Sequence, residues 1–214
     1  MYNQEKPMVS TTNTETRLIQ AGITLAKKHG LNFTVRQLCA KSKVNLGLFH
    51  YYFKNKDNFD KEMLRALYNQ MIEHLTLKLS GEASPRENIA QILLGLHNFV
   101  GKNRMFLSSI MGNVLSGNGK LFHFLSLNFT QHIALISREL KRAKLPEKIH
   151  NQSLPALLSM IVLPVVMPQI LMGLLERVGT TNLPFDVSLL TQTVDNKQQF
   201  CVRINLLLDS IFGE

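Results

Sequence analysis

A short stretch of the chain, NLGLFHYYFKNK at residues 45–56, concentrates polar rings and lysines. His50, Tyr51 and Tyr52 follow one another, and a helix of eight residues cannot bury all three rings. The rings that face outward can hydrogen-bond phosphate oxygens. Gly47 costs a helix about 1 kcal/mol relative to alanine, which indicates a geometric need such as a close approach of the backbone to a partner. These residue types suit a polyanionic partner.

Two short helices are predicted to position this stretch. Thr34 is a predicted N-cap, and Gln37, three residues later, completes a capping box. The chain is predicted to turn around residues 42 and 43, after which Asn45 caps a helix over residues 46–53. A helix pair of this kind can place its second helix in the major groove of DNA.

Lys54 and Lys56 flank the start of the next predicted helix, where a lysine charge and the exposed backbone N–H groups both favour a phosphate. The net charge of the chain is +9, and residues 1–60 carry 9 Lys and Arg against 4 Asp and Glu. The basic density therefore lies with the helix pair, as nucleic-acid binding requires. The alternative is an ordinary three-helix unit with a solvated basic face.

Helical periodicity continues through the rest of the chain, with no strand pattern and no internal repeat. We predict an all-α protein, in which an N-terminal three-helix helix-turn-helix domain precedes a larger helical bundle. The first helix is predicted to start near Thr14, and the long helices of the bundle are predicted over 120–144, 151–178 and 191–212. The predicted domains are a flexible arm over 1–13, a DNA-binding domain over 14–58 and a bundle over 59–214.

Residues 16–59 resemble the N-terminal domain of the TetR family of bacterial transcriptional regulators. The matching features are Gly30, the run Thr34-Val35-Arg36, Val44, Gly47, the aromatic string 50–53 and Lys56. The resemblance covers about a fifth of the chain and implies a regulator that binds a palindromic DNA operator as a homodimer. It also implies that the bundle dimerises and binds an effector, with repression as the commoner mode.

The resemblance implies DNA contacts from both short helices. The implied contact residues are Thr34 and Arg36 on the first, and Asn45, Leu46, Leu48, His50, Tyr51 and Tyr52 on the second, while Lys56 holds a backbone phosphate. Leu48 and His50 depart from the family, which usually has threonine and tyrosine there. Leu48 cannot hydrogen-bond, but it can touch a thymine methyl group or simply pack.

Residues 151–175 contain no charged side chain, and a helix that is apolar all round must be buried on every side. We therefore expect this helix to contact both its own bundle and a second copy of the chain. The last helix carries a further apolar stripe that suits the same interface. The predicted interface residues are Leu163, Ile170, Leu174, Phe200, Ile204, Leu207 and Ile211. A transmembrane span is the rival interpretation, but Pro155, Pro164 and Pro168 argue against it.

An adaptable set of methionines and aromatic rings is the candidate effector pocket, although plain core packing is the better explanation for any single one of them. The candidate residues are Met105, Phe106, Phe122, Phe129, His132, Met167 and Met172. No acidic residue occurs between Glu87 and Glu139, so we expect a small hydrophobic effector that is uncharged or anionic.

The sequence predicts no enzyme, because it has no nucleophile–base pairing, HExxH motif, phosphate-binding glycine loop or paired carboxylates. No cofactor and no metal site are predicted, and the two cysteines indicate neither a disulfide framework nor zinc. The polar N-terminus is no signal peptide, so we predict a cytoplasmic protein. Two alternatives stay open: a regulator controlled by a protein partner instead of a small ligand, and a membrane-associated helical protein.

Overall fold

The computed structural model describes residues 11–179 and 186–213, with side chains from residue 14 onward. Every regular element in those ranges is a helix, which confirms the predicted all-α fold. The helices are α1 (Thr11–His29), α2 (Val35–Ser42), α3 (Leu46–Phe53), α4 (Lys56–Lys78), α5 (Pro85–Lys102), α6 (Arg104–Leu115), α7 (Gly119–Asn128), α8 (Gln131–Arg142), α9 (Glu147–His150), α10 (Leu154–Val178), α11 (Val187–Asp195) and α12 (Lys197–Phe212).

The first helix begins at Thr11, three residues earlier than predicted. The predicted arm otherwise lies outside the described residues, as do residues 180–185. The chain forms two compact units, residues 1–67 and 68–214, and the division falls inside α4. The functional division proposed from the sequence, between residues 58 and 59, lies near the start of that same helix.

The first unit is built around phenylalanines from α3 and α4. Phe59 lies 5.7 Å from Phe49 and 4.9 Å from Phe53, measured between ring centroids, and Phe49 and Phe59 are fully buried. Gly22 on α1 faces the Phe59 ring so closely that a methyl group there would collide with it. The absence of a side chain on α1 therefore lets α4 pack against it.

The two short helices begin at the predicted N-cap residues, Thr34 for α2 and Asn45 for α3. The Thr34 hydroxyl accepts a hydrogen bond from the Gln37 backbone N–H at 3.1 Å, and the Gln37 side chain accepts one from the Thr34 N–H at 2.8 Å. Lys43 ends α2 in the left-handed conformation, with φ 53°. Asn45 then caps α3 by accepting from the Leu48 N–H at 2.8 Å.

The second unit has its own core, made by α5, α8, α10 and α12 around α4 residues from 68 onward. Among the described residues of this unit, one charged side chain, that of Glu139 on α8, is fully buried. Its carboxylate accepts hydrogen bonds from Arg138 at 3.0 Å, Arg142 at 2.5 Å and Asn88 at 3.2 Å. Arg142 and Asn88 also bond the loop before α5, so this carboxylate joins the loop to the helices.

Two predicted long helices are each divided in two. The helix predicted over 120–144 breaks at residues 129–130 into α7 and α8, and the helix predicted over 191–212 breaks at Asn196 into α11 and α12. Asn196 caps α12 by accepting from the Gln199 N–H at 3.0 Å. At the first break, the backbone N–H of His132 donates to the Tyr68 hydroxyl at 3.2 Å. A side chain 64 residues away thus completes the start of α8.

Among the described helices, α10 is the one whose length and composition would let it cross a membrane, and 39% of its most apolar window is buried. One face of α10 lies in the core through Leu157, Ile161 and Val165. The opposite face exposes Met160, Leu163, Met167 and Leu171. The expectation that this helix is buried on every side is therefore not met within a single chain, and an uncharged apolar surface is left uncovered.

Candidate nucleic-acid interface

The α3 helix has one buried face and one exposed face. Phe49 and Phe53 lie four residues apart and fix α3 to the core of the first unit. Other side chains of α3 point outward, among them Leu48 with 39% of its surface exposed and Tyr51 with 75%. A helix held by two phenylalanines and free along the other side has the shape that insertion into a DNA groove needs.

The predicted DNA-contact residues fall into two groups by exposure. Those that are exposed are Thr34, Arg36, Asn45, Leu46, Gly47, Leu48, His50, Tyr51 and Lys54, and those that are half-buried are Tyr52 and Lys56. The Tyr51 and Tyr52 rings meet edge to face with centroids 5.2 Å apart, and Tyr52 also leans on Phe53 at 6.3 Å. The two tyrosines therefore support each other at the end of α3.

Gly47 has open space around it. A Cβ atom built there would meet only the Asn45 side-chain oxygen, at an ordinary contact distance of 3.4 Å. Packing within the first unit therefore gives no reason for a glycine at this position. A partner that must approach the α3 backbone closely would explain the glycine, as the sequence indicates.

Lys56 is engaged by its own unit. Its Nζ atom lies 2.6 Å from Asp60 Oδ1 and 3.8 Å from the centroid of the Phe33 ring. Burial raises the pKa of Asp60 to about 6, although Lys56 opposes that rise, and the charge of Asp57 adds to it. Lys56 therefore has an internal cation–π and ion-pair role that the sequence did not reveal. A phosphate at Lys56 would compete with Asp60 for the ammonium group.

Arg17 is a further positioning residue that sequence reasoning missed. Its guanidinium donates to the Ser42 carbonyl at 2.5 Å and to the Lys43 carbonyl at 3.4 Å. These carbonyls belong to the turn between α2 and α3, so α1 holds that turn in place. Nothing in the spacing of Arg17 along the chain signalled this contact, since it depends on how α1 packs across α2.

The candidate effector residues differ in burial, and two of them contact one further residue. Phe129 and His132 meet at Tyr68, with Phe129 4.6 Å from the tyrosine ring centroid and His132 Nδ1 2.9 Å from its hydroxyl. The remaining five are scattered by burial: Phe106 and Met172 are buried, Met105 is half-buried, and Phe122 and Met167 are exposed. Tyr68 was missed because no sequence pattern connects it to α8.

The candidate dimer residues also divide. Ile170, Phe200, Ile204 and Ile211 are buried within their own chain, Leu174 and Leu207 are half-buried, and Leu163 is exposed. A side chain buried in its own unit offers a partner little surface. Of the seven candidates, Leu163 on α10 is the one with an exposed side chain. On α12, the exposed apolar residues are Val202 and Leu206.

No family model matches the sequence. Over 77 residues the chain is 32% identical to the HTH-type transcriptional regulator BetI of Brucella anthropi. That match spans 36% of this chain and 40% of the length of BetI. The sequence likeness is therefore partial, and it concerns well under half of either protein.

The fold likeness covers almost the whole chain. A TetR-family transcriptional regulator from Rhodococcus sp. covers 93% of this chain and 98% of its own, with a TM-score of 0.67 at 12% identity. GusR of Salmonella enterica covers 98% and 100%, with a TM-score of 0.69 at 11% identity. FadR of Bacillus subtilis, solved in complex with stearoyl-CoA, covers 92% and 98%, with a TM-score of 0.65 at 16% identity.

These structural neighbours share the fold of an N-terminal helix-turn-helix followed by a helical domain, and that is the architecture predicted from the sequence. The partial sequence match is to a protein that is itself a helix-turn-helix transcriptional regulator. The chain therefore has the fold of these transcriptional regulators along almost its whole length, and about a third of it is similar in sequence to a helix-turn-helix transcriptional regulator.

Proposed function

We propose that this regulator binds a palindromic operator as a homodimer through α3. The observation that carries the proposal is the exposed face of α3, on which Gly47 leaves the backbone open while Phe49 and Phe53 hold the helix. Side chains at Thr34, Arg36 and Asn45 supply polar contacts beside it, and Lys54 supplies charge. A dimer of such units reads two half-sites that lie about one helical turn apart or somewhat more.

The test is a titration of the purified protein against the DNA upstream of its own gene, at two salt concentrations, with random DNA as competitor. Specific binding survives the competitor and protects a footprint with two related halves. The contrary result is equal affinity for the upstream DNA and the random DNA, with the same dependence on salt. It would show only a basic surface and would reject the proposed operator at that site.

We propose further that the exposed apolar face of α10 meets the same face of a second copy. The face contains Met160, Leu163, Met167 and Leu171, and no charged residue occurs from 151 to 175. Burial against an identical uncharged surface would remove from water the apolar area that one chain leaves open. A dimer that forms in buffer without detergent supports this proposal over membrane association and over a protein partner of another kind.

A small effector that is largely hydrophobic would then control DNA binding from the second unit, and release of DNA on effector binding makes the protein a repressor. The support is the aromatic cluster of Tyr68, Phe129 and His132, together with a fold shared with FadR, which was solved with stearoyl-CoA. Linkage requires that an effector which weakens DNA binding is itself bound less tightly when DNA is present. We place this activity in the cytoplasm, where operator DNA is accessible.

A further inference from the structure

The first turn of α3 offers a partner no hydrogen-bonding side chain. Its residues are Leu46, Gly47 and Leu48. The backbone N–H of Leu48 is also in use, because it donates to Asn45 Oδ1 at 2.8 Å. Leu48 is nevertheless exposed over 39% of its surface. What this residue presents to a partner is therefore apolar surface.

Leu48 lies on the outward side of α3. With about 3.6 residues per turn, residues 47, 48 and 51 lie on the side of the helix away from Phe49 and Phe53. Those two phenylalanines are buried, whereas Tyr51 is 75% exposed. Leu48 is not part of the core of the first unit. Packing, which the sequence left as an alternative to a DNA contact, therefore does not account for this leucine.

The charge around α3 indicates what meets this apolar surface. Residues 34–56 contain five Lys and Arg and no Asp or Glu, and Arg36 and Lys54 are exposed. Basic side chains of this kind contact DNA phosphates, which leaves the helix between them to face the base edges. In the major groove, the apolar group that distinguishes one base from another is the C5 methyl group of thymine. A leucine that cannot hydrogen-bond matches that group.

We propose that Leu48 is a specificity-determining residue, which selects thymine in each half-site by packing against its C5 methyl group. The first turn of α3 then selects an A·T pair by removing a methyl group from water, without a hydrogen bond to the base. A 5-methylcytosine carries the same methyl group and satisfies Leu48 in the same way. This inference rests on the proposed operator binding and names the base that the operator must contain.

The experiment first selects an operator from a pool of random DNA with the full-length protein. Each thymine of the selected half-site is then replaced by deoxyuridine, one position at a time and in both half-sites, which removes only the methyl group. Affinity for each DNA is measured by fluorescence anisotropy. The test variant is Leu48→Ala. The matched control is Leu46→Ala, which truncates a leucine that is 45% exposed in the same turn but lies outside the face of residues 47, 48 and 51.

We expect one thymine position at which deoxyuridine weakens wild-type binding by about fourfold per half-site, the factor that burial of one methyl group supplies. Leu48→Ala should bind the thymine and deoxyuridine operators equally at that position, and Leu46→Ala should keep the wild-type ratio. When cytosine takes the place of this thymine, 5-methylation of the cytosine should restore affinity to wild type and not to Leu48→Ala. Comparing protein and DNA changes in this way isolates the contact between them.

Two results would overturn the role of Leu48 while operator binding stands. One is an operator that tolerates deoxyuridine at every thymine, and the other is a Leu48→Ala protein with the wild-type ratio at each position. If no sequence is enriched from the random pool, the proposed operator binding fails and this inference fails with it. Leu48 is exposed and alanine favours a helix, so Leu48→Ala should fold. The deoxyuridine series in wild type shows whether a methyl group is read even without that variant.

Discussion

The Nδ1 atom of His50 lies 2.9 Å from the carbonyl oxygen of Lys54. Lys54 has φ 64° and ψ −50°, and the Asn55 N–H donates to the Phe53 carbonyl at 2.7 Å across it. This is a γ-turn of the rare positive-φ form, which is strained for a residue with a side chain. Because a carbonyl only accepts, His50 donates through Nδ1 and holds the turn that links α3 to α4.

His50→Phe should therefore affect both the turn and DNA binding. The phenyl ring keeps the edge contact with Phe49, which His50 makes at 5.3 Å between centroids, but cannot bond the Lys54 carbonyl. We expect the free energy of unfolding to fall by about 1 kcal/mol, the net value of one hydrogen bond. We also expect weaker operator binding, measured by fluorescence anisotropy. Unchanged stability and affinity would contradict the role assigned to this bond.

Gly47→Ala should separate folding from function. Alanine has room at this position and favours a helix by about 1 kcal/mol, so urea unfolding should show equal or greater stability. Operator affinity should nevertheless drop at least tenfold, since the added methyl group would hold the DNA away from the α3 backbone. Gly119→Ala, made where no atom lies within 4 Å at the start of α7, should leave DNA binding intact. Wild-type affinity in the Gly47→Ala protein would contradict α3 as the reading helix.

Leu163→Glu should dissociate the proposed dimer. Leu163 is 51% exposed on the uncharged face of α10, and a glutamate there would place two like charges in an apolar interface. Sedimentation velocity should show a monomer with a native helical spectrum. Leu77→Glu, at a leucine on α4 that is 80% exposed, serves as the control and should remain dimeric. A dimer unaffected by Leu163→Glu would show that the copies meet elsewhere.

Glu139→Gln should destabilise the second unit. The buried carboxylate accepts from two arginines and from Asn88, and an amide can replace only part of this set. The arginines can turn to water, so we expect a loss of about 1–3 kcal/mol in urea unfolding. Glu62→Gln, which removes an exposed pair with Arg65, should cost under about 1 kcal/mol. If both variants lose the same free energy of unfolding, the Glu139 hydrogen bonds do not hold the loop to the helices.

Stability should decline in mild acid because of His132. Its pKa is about 4 in the folded protein against an ordinary value of 6.5, so below pH 6.5 the unfolded chain binds a proton that the folded chain does not. The free energy of unfolding should therefore fall as the pH drops from 6.5 towards 4, by roughly 3 kcal/mol in all. His132→Phe removes this titrating group, so its free energy of unfolding should fall less steeply with pH than that of wild type. The control is His123→Phe, which alters an exposed histidine on α7 and should behave like wild type. If the free energy of unfolding falls with pH at the same rate in all three proteins, His132 is not the source of the decline.

The sequence determined much of the first unit because its signals are local. The Thr34–Gln37 capping box and the Asn45 cap each act within a few residues, and both appear as predicted. Exposure of the polar rings followed from helical spacing. The Asn196 cap was also local, and it could have been found from the glutamine three residues later.

Only the tertiary structure decided the features that join distant residues. The start of α8 depends on the Tyr68 hydroxyl, 64 residues away, and the phosphate candidate Lys56 contacts the ring of Phe33. Which face of α12 is buried likewise depended on its neighbours, because Phe200 and Leu206 are both apolar. Helical periodicity gives the faces of a helix, but packing against other helices selects the one that leaves water.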